Sequence, residues 1–431
     1  MTGGPVSTRA VEFGAALRKA RRGKGLSQAE LGGDKYSGSY ISHLESGRRV
    51  ATPEVVEFLS RRLGLSLLEW GATAKPDALQ VVHDPIEDLL VAERAWSDHD
   101  WKAAARHAQQ AAEAAHAAGD SGREWEALYL LAQARFSAGE FESAAELAER
   151  LTEHPTARRF AVARSQALSL TSIAYRAADR LGWAVAFGAR AVEASASAQP
   201  IIAAEALMAL VSAMSEAGHS PTESRRYLLR LKELEPQLTS DHSRGMIEWA
   251  LGTAEFAAGN AEAGIEHHRN AKGLLDARRD LRLWSRYHRS AASCLLGAGI
   301  VDGVAELIQT AALGLEILGN SYDLAELRQV QAQFALRSGD AEEALRIARE
   351  VLADPELGAE AVSRSNSELI LAEALAALGR VDEARDAYRA AATSLENEGR
   401  MGAAVDAWRM SVYAGAENFL DKDLTPSVKS D

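Results

Sequence analysis

A short segment near the start of the chain brings hydroxyl, imidazole and guanidinium groups together at helical spacing. Ser37 is a good N-cap, and Gly47 predicts the end of a short helix whose apolar face holds Ile41 and Leu44. Two arginines, Arg48–Arg49, follow at once. Hydroxyl and imidazole groups can hydrogen-bond to base edges, and guanidinium groups bind phosphates. The segment therefore favours a helix that meets a nucleic acid over a capped surface helix without a function.

Further helices are predicted on both sides of this segment, where they can hold it in place. Phe13–Arg22 has apolar residues on one face, and Ser27 with Glu30 has the spacing of a capping box that starts the next helix. Thr52–Pro53 starts another helix, which Gly64 ends. These patterns predict a small all-helical domain over residues 1–70.

The string LSQAEL…SYISHLESGRR, within about residues 10–70, resembles the phage-repressor-like (xenobiotic-response-element type) helix-turn-helix family. The resemblance implies a five-helix domain whose recognition helix enters the major groove of DNA, while the helix opened by Ser27–Gln28 crosses the DNA backbone. It also implies that Gln28 braces the recognition helix and that Glu45 is a structural anchor. The residues implied to bind DNA are Gln28, Ser37, Gly38, Ser39, Tyr40, His43, Arg48 and Arg49.

The charge of the chain is divided unevenly. Residues 1–70 carry eleven Lys and Arg against seven Asp and Glu, a net charge of +4. Because the whole chain has a net charge of −13, residues 71–431 have a net charge of −17. A basic head on an acidic body indicates nucleic acid as the partner of the head. Two roles are open for the basic residues at the end of the first helix, Arg21, Arg22 and Lys24. They could contact DNA, or they could only make the helix end more soluble.

Turn-forming residues recur about every 40 positions through the rest of the chain. Each turn is flanked by Ala-, Leu-, Glu- and Arg-rich stretches, so the period predicts stacked helical hairpins. Small residues stand seven before and five after most turns, with Glu223 as the clearest exception. The predicted turn residues are His99, Gly139, Asp179, Gly218, Gly259, Gly299, Gly339 and Gly379.

These units resemble tetratricopeptide repeats, most clearly at Leu371–Ala392 and Leu131–Leu151. The resemblance implies an α-solenoid of about eight hairpins with a capping helix over residues 85–415. Residues 71–84 are predicted to be a linker and residues 416–431 a tail. The fold class predicted for the whole chain is therefore all-α.

The first helices of stacked hairpins line the concave face of a solenoid. Residues 13, 10 and 6 positions before each turn share one helix face, which the resemblance directs into the groove. Amides suit peptide backbone groups, and Arg286 with Arg289 could hold a carboxylate. Alternatively, these residues only solvate the inner wall or pack against neighbouring helices. The predicted ligand-binding residues are Tyr129, Gln133, Gln166, Trp249, Arg286, Arg289, Gln329, Gln333 and Asn366.

No catalytic motif stands out in the sequence. It has no phosphate-binding P-loop, no HExxH zinc motif and no GxSxG nucleophile motif, so we predict a protein that is not an enzyme and needs no cofactor. His267 and His268 are adjacent, which suits a metal poorly, and are expected at the surface. The single cysteine, Cys294, is expected to pack in an apolar run. No membrane segment or signal core is visible, so we predict a cytoplasmic protein.

A repressor-like head with a tetratricopeptide body resembles the peptide-responsive regulators of Gram-positive bacteria, which act in quorum sensing. The resemblance implies a homodimeric transcriptional regulator that binds double-stranded DNA and whose solenoid senses a short peptide or another small ligand. A second hypothesis is a scaffold whose solenoid grips a protein partner, with the head as a docking module. A regulator of an enzyme, acting through the groove, is a third.

Overall fold

The computed structural model describes residues 8–49, 51–64, 85–354 and 364–413, and the chain divides into two units, residues 1–84 and 85–431. All regular structure in the described ranges is helical. The predicted all-α fold is therefore confirmed. Three predictions lie outside the described residues: a fifth helix in the first unit, a linker over residues 71–84 and a tail over residues 416–431.

Four helices form the described part of the first unit, and local signals set their ends. Ser27 and Glu30 form the predicted capping box, Ser37 caps the third helix, and Gly64 ends the fourth in the left-handed conformation. Leu17, Leu31, Ile41, Leu44, Val55, Leu59 and Leu63 pack together as the core. The helices are α1 (Thr8–Gly23), α2 (Gln28–Gly32), α3 (Gly38–Glu45) and α4 (Pro53–Leu63).

The second unit contains eight helical hairpins followed by one further helix among its described residues. The hairpins pair α5 (Pro85–Ser97) with α6 (Trp101–Ala118), α7 (Ser121–Ala138) with α8 (Phe141–Leu151), α10 (Ala161–Ala177) with α11 (Leu181–Ala194), α12 (Pro200–Glu216) with α13 (Pro221–Leu234), α14 (Asp241–Ala257) with α15 (Ala261–Leu274), α16 (Leu281–Gly297) with α17 (Val304–Leu318), α18 (Ser321–Arg337) with α19 (Ala341–Ala353), and α20 (Arg364–Ala377) with α21 (Val381–Asn397). A short helix, α9 (Pro155–Arg159), joins hairpins two and three, and α22 (Met401–Tyr413) follows the eighth.

All eight predicted turn residues lie in the left-handed region of backbone space. Six of them are glycines, which adopt a positive φ without steric cost. The other two, His99 (φ 59°) and Asp179 (φ 56°), are the non-glycine residues with positive φ in the described part of the chain. The turn, rather than the glycine, is therefore the repeated feature.

The small residues around the turns are buried where the two helices of each hairpin meet. Ala132, Ser172 and Ala292 before the turns are almost completely inaccessible, as is Ala144 after one of them. Glu223 departs from the pattern because it is the third residue of α13, where its carboxylate accepts the backbone N–H of Ser220 in a capping box. Apolar clusters extend from one hairpin to the next, so stacking buries a continuous core. No helix in the described ranges has the length and apolarity to cross a bilayer.

Candidate nucleic-acid interface and repeat interior

Helix α3 turns a polar face to the solvent. Ser39 and His43 are exposed and four residues apart, so they share one side of the helix, and the exposed Ser46 follows at its C-cap. Ser37 accepts the backbone N–H of Tyr40 at 3.1 Å, which fixes the start of this face. Gly47, with φ 69°, ends it. The predicted helix is confirmed, with its last helical residue at Glu45.

An aromatic and cationic edge adjoins this face. The ring of Tyr40 stacks on the ring of Tyr36, with the centroids 5.1 Å apart, and the guanidinium of Arg49 lies 4.7 Å from the Tyr40 centroid. Arg48 and Arg49 are exposed. Tyr40 is half-buried, and its ring holds the Arg49 guanidinium by a cation–π contact.

A buried carboxylate ties three helices of the head together. Glu45 accepts hydrogen bonds from Arg21 Nε (2.5 Å) and from Gln28 Nε2 (2.9 Å), and Arg21 also donates to the backbone oxygen of Leu26 at 2.6 Å. Burial alone would raise the pKa of Glu45, but the hydrogen bonds from Arg21 and Gln28 hold that pKa below its usual range. Glu45 is therefore the predicted structural anchor, and Gln28 braces α3 as predicted.

Arg21 is neither a solubilising residue nor free for DNA, so neither role left open for it is correct. It is 8 % exposed and bound to Glu45, which is 6 % exposed, whereas Arg22 and Lys24 are exposed. The sequence does contain a signal for the burial of Arg21, because this residue follows the core residue Leu17 by four positions and so lies on the inward face of α1.

Two glycines of the head are needed for close packing. A Cβ on Gly14 would clash with the carbonyl oxygen of Leu44, so Gly14 lets α1 cross α3. A Cβ on Gly38 would lie 3.2 Å from the backbone nitrogen of Ala29, so this predicted DNA-binding residue packs against α2. A DNA contact by the backbone of Gly38 stays a prediction.

In the second unit, several predicted ligand-binding side chains bond to the next hairpin. Tyr129 donates to Gln166 at 2.8 Å, and Gln166 donates to Glu205 at 2.6 Å. Trp249 donates to Ser290 at 3.0 Å, and Gln329 donates to Ser367 at 2.7 Å. Each bond joins residues about one repeat apart along the chain. These side chains thus form polar links between successive first helices.

The two predicted arginines already hold carboxylates of this chain. Arg286 binds Asp323 through Nε (2.5 Å to Oδ1) and Nη2 (3.1 Å to Oδ2), and Arg289 lies 3.0 Å from Glu326. Arg282 also pairs with Asp323, at 2.8 Å. Burial alone would raise the pKa of Asp323, but the guanidinium groups of Arg286 and Arg282 hold it at about 2. A ligand carboxylate would have to compete with these pairs.

Contacts across the interior join the second hairpin to the sixth and seventh. The carbonyl oxygen of Ser137, near the end of α7, accepts from Arg282 Nη1 at 2.9 Å and from Asn320 Nδ2 at 3.1 Å. The rings of Phe141 and Tyr322 meet edge to face, with the centroids 4.8 Å apart. A pattern that repeats every 40 residues contains no signal for these pairs, and the sequence reasoning missed them.

Two predicted ligand residues have amides without a hydrogen-bond partner among the described residues. Gln133 and Gln333 are half-buried and form no hydrogen bond with another described residue. Asn366 accepts from Arg400 at 2.9 Å. The structure does not test ligand binding by any residue of the set, so that role stays a prediction.

The expectation of two surface histidines is wrong for His268. This residue is buried beside Gly252, where no Cβ would fit, and burial lowers the pKa of His268 to about 4. His267 instead lies 2.8 Å from Glu248. No cluster of metal-ligating side chains occurs in the part of the chain that the structure describes.

Several solved structures are similar to this chain at low identity. Bacillus thuringiensis PlcR, in complex with the peptide PapR7 and DNA, is 9 % identical, with 72 % of this chain and 95 % of that chain covered and a TM-score of 0.31. A Rap protein complexed with competence and sporulation factor is 11 % identical, with 95 % of this chain and 97 % of that chain covered and a TM-score of 0.47. The Streptococcus dysgalactiae SHP pheromone receptor Rgg2 is 13 % identical, with 65 % of this chain and 99 % of that chain covered and a TM-score of 0.32.

A family comparison covers the head. No curated protein sequence matches the chain significantly. Residues 12–69 match the family model of a helix-turn-helix domain, a span that contains the capping box, the exposed face of α3 and the Glu45 anchor. The first unit of this chain is a helix-turn-helix domain, followed in sequence by a body of tetratricopeptide-like helical hairpins.

Proposed function

We propose that this protein is a sequence-specific, homodimeric transcriptional regulator whose repeat body senses a ligand, most simply a short peptide. The observation that carries the proposal is the exposed face of α3, where Ser39 and His43 stand beside Arg48 and Arg49. In a helix-turn-helix domain such a face reads the major groove. The proposed activity is binding, without catalysis, and its place is the cytoplasm, where bacterial DNA lies.

Different residues of this face have different proposed roles. Ser39 and His43 carry hydrogen-bonding groups that can reach base edges, so they set the preferred sequence. Arg48 and Arg49 bind phosphates, so they add affinity for every duplex. The Glu45 anchor fixes the angle of α3, which keeps both groups of contacts in register.

The proposed ligand site is the inner face of the repeat body. Gln133 and Gln333 each keep an amide that can donate and accept, which is what a peptide backbone requires. A ligand changes DNA binding only to the extent that it binds two arrangements of the protein with different affinity. The proposal therefore includes two arrangements of the dimer.

The DNA part is tested by the affinity of the full chain for duplexes from its own promoter region at several salt concentrations. We expect affinity to fall steeply with salt, because phosphate contacts release counterions. Arg48→Ala with Arg49→Ala should weaken binding to all duplexes and reduce the salt slope by about two. Ser39→Ala or His43→Ala should change sequence preference instead.

A matched control is Arg158→Ala with Arg159→Ala, two exposed neighbouring arginines of the body, which should leave DNA affinity unchanged. Failure of the wild-type protein to bind any duplex, or binding without salt dependence, would contradict the proposal. A stoichiometric protein partner recovered without DNA would favour the scaffold instead.

The ligand part is tested with a mixture of short synthetic peptides, selected on the full chain and identified by mass spectrometry. A selected peptide should bind Gln133→Leu and Gln333→Leu variants at least about tenfold more weakly. Gln109→Leu, in the second helix of hairpin one, is the control and should bind normally. Equal binding by all three variants places the peptide elsewhere.

A further inference from the structure

A row of three aromatic rings joins α4 to α3 in the head. The ring of Phe58 meets the ring of Tyr36 edge to face, with the centroids 5.2 Å apart. Tyr36 in turn stacks on Tyr40, with the centroids 5.1 Å apart and the ring planes 17° from parallel. All three side chains are half-buried and pack against the core of the domain. The packing of the head therefore fixes the Tyr40 ring in addition to α3 itself.

This aromatic row ends at the guanidinium of Arg49, which lies 4.7 Å from the centroid of the Tyr40 ring. Arg49 is nine residues beyond Tyr40 and follows the end of α3. Gly47, with φ 69°, turns the chain between them. Arg49 forms no hydrogen bond or ion pair with another described residue. The contact with the Tyr40 ring is therefore what orders the end of this side chain.

The neighbouring arginine, Arg48, lacks this support. It is exposed like Arg49, but among the described residues it meets no ring and forms no hydrogen bond or ion pair. Two adjacent arginines with the same proposed role thus differ in their contact with Tyr40. Arg48 can therefore serve as an internal control for what the ring does.

A ring contact can order a guanidinium and leave its donors free. The attraction joins the positive charge to the negative face of the ring, so it uses none of the five N–H donors of arginine in a conventional hydrogen bond. Those donors stay available for the oxygens of a phosphate. A side chain that is ordered beforehand also loses less rotamer freedom when it binds.

Burial separates Tyr40 from the two residues that are proposed to read base edges. Ser39 and His43 are exposed on α3, whereas Tyr40 is half-buried against the core and in contact with Tyr36 and Arg49. The surroundings of Tyr40 are those of a side chain that holds a neighbour in place.

We propose that Tyr40 is a positioning residue, whose ring, held by Tyr36 and Phe58, orders Arg49 for a phosphate of the DNA backbone. The proposal rests on the proposed function, because it assigns Tyr40 a role in the same DNA interface. Tyr40 then adds affinity for every duplex, through Arg49, and does not set the preferred sequence.

The test is a set of double-mutant cycles, measured as the affinity of the full chain for promoter duplexes at one fixed salt concentration. Tyr40→Leu removes the ring and keeps an apolar side chain. We expect it to weaken binding about two- to fivefold, by the same factor for every duplex. In an Arg49→Ala background the same substitution should leave affinity unchanged, because the group that the ring orders is gone.

Two controls separate this role from a structural one. In an Arg48→Ala background Tyr40→Leu should keep its full effect, because Arg48 does not contact the ring. Tyr40→Phe keeps the ring and removes the hydroxyl group, so it should bind with the affinity and the sequence preference of the wild type. Unchanged circular dichroism of each variant shows that the chain is folded.

A second measurement needs no DNA. An aromatic ring shifts the proton resonances of a group held over its face upfield. In the full chain with isotope-labelled arginine, the δ protons of Arg49 should therefore resonate upfield of those of Arg48, and the single alanine variants assign the two signals. The shift should persist in Tyr40→Phe and disappear in Tyr40→Leu.

Four outcomes would overturn the proposal. An effect of Tyr40→Leu that is equally large in the Arg49→Ala background shows that Tyr40 acts on the DNA or on the fold by itself. A changed order of preferred duplexes makes Tyr40 a residue that reads bases, and weaker binding by Tyr40→Phe assigns the contact to the hydroxyl group. Absence of the upfield shift shows that the ring does not order Arg49. Failure of the proposed function differs from all four, because the wild-type protein then binds no duplex while the upfield shift is present.

Discussion

Arg282 of α16 donates a hydrogen bond to the backbone carbonyl of Ser137, 145 residues earlier in the chain, at 2.9 Å. The same guanidinium pairs with Asp323 and lies over the ring of Trp101, 5.6 Å from its centroid. One planar group therefore serves three hairpins. Only a guanidinium offers donors in the directions that these partners require.

Arg282→Lys should lower the free energy of unfolding of the body by about 1–3 kcal/mol. Lysine keeps the positive charge near Asp323, but its compact ammonium cannot also reach the carbonyl of Ser137. Urea unfolding followed by far-ultraviolet circular dichroism measures the change. Arg328→Lys, an exposed arginine of α18 paired with Glu350, is the control, and an equal effect of both substitutions would argue against a special role for Arg282.

Phe141 and Tyr322 should show a coupling free energy of about 0.5–1.5 kcal/mol in a double-mutant cycle with alanine. Their rings meet edge to face, and this contact disappears fully in either single variant. The measurement is again urea unfolding. A second cycle, between Phe141 and the distant Tyr227, should give coupling near zero, and coupling of similar size in both cycles would refute the contact.

Glu45→Gln should destabilise the head and speed hydrogen exchange at the amides of α3. The amide side chain keeps part of the hydrogen bonding but loses the charge, so Arg21 stays buried without its counter-ion, at a cost of about 1–3 kcal/mol. DNA affinity should fall with it. The exposed carboxylate of Asp34 supplies the comparison, because Asp34→Asn should change neither quantity.

Asp179→Asn should stabilise the body more at about pH 8 than at about pH 4.5. Burial, with the nearby carboxylates of Glu398 and Glu216, raises the pKa of Asp179 to about 7. Between pH 4 and 7 the unfolded chain has lost this proton and the folded chain has not, so the wild-type contribution to stability falls as pH rises through that window. Asparagine removes the charge and still accepts the left-handed turn.

Urea midpoints of the wild type and the variant at both pH values check this expectation. Asp302→Asn, at an exposed position in another loop, is the control and measures how the loss of a solvated carboxylate changes the urea midpoint. A stability gain from Asp179→Asn that is the same at both pH values would mean that charge is not its cause.

The sequence predicted those parts of the structure whose signals are local. Ser27 with Glu30, Ser37 and Gly64 set helix ends through bonds within a few residues, and the structure has each end where it was expected. The turns were predictable because a residue in the left-handed conformation is needed at each one, and glycine marks most of them.

Contacts between distant parts of the chain were not predictable in this way. The role of Arg21 depends on Glu45, 24 residues away, and Arg282 meets Ser137 across four repeats. His268 was expected at the surface together with His267, and the missing Cβ of Gly252, from another helix, makes room for it in the interior. Such pairs follow from packing in three dimensions, for which a 40-residue period carries no information.

The hydrogen bonds from Arg282 and Asn320 to Ser137 affect how the body is expected to unfold. A linear stack of repeats, in which each unit touches only its neighbours, frays from its ends and can melt in stages. Here hairpin two is fastened to hairpins six and seven, so the repeats between them cannot unravel independently. We therefore expect the central repeats to lose their structure together, as one cooperative block.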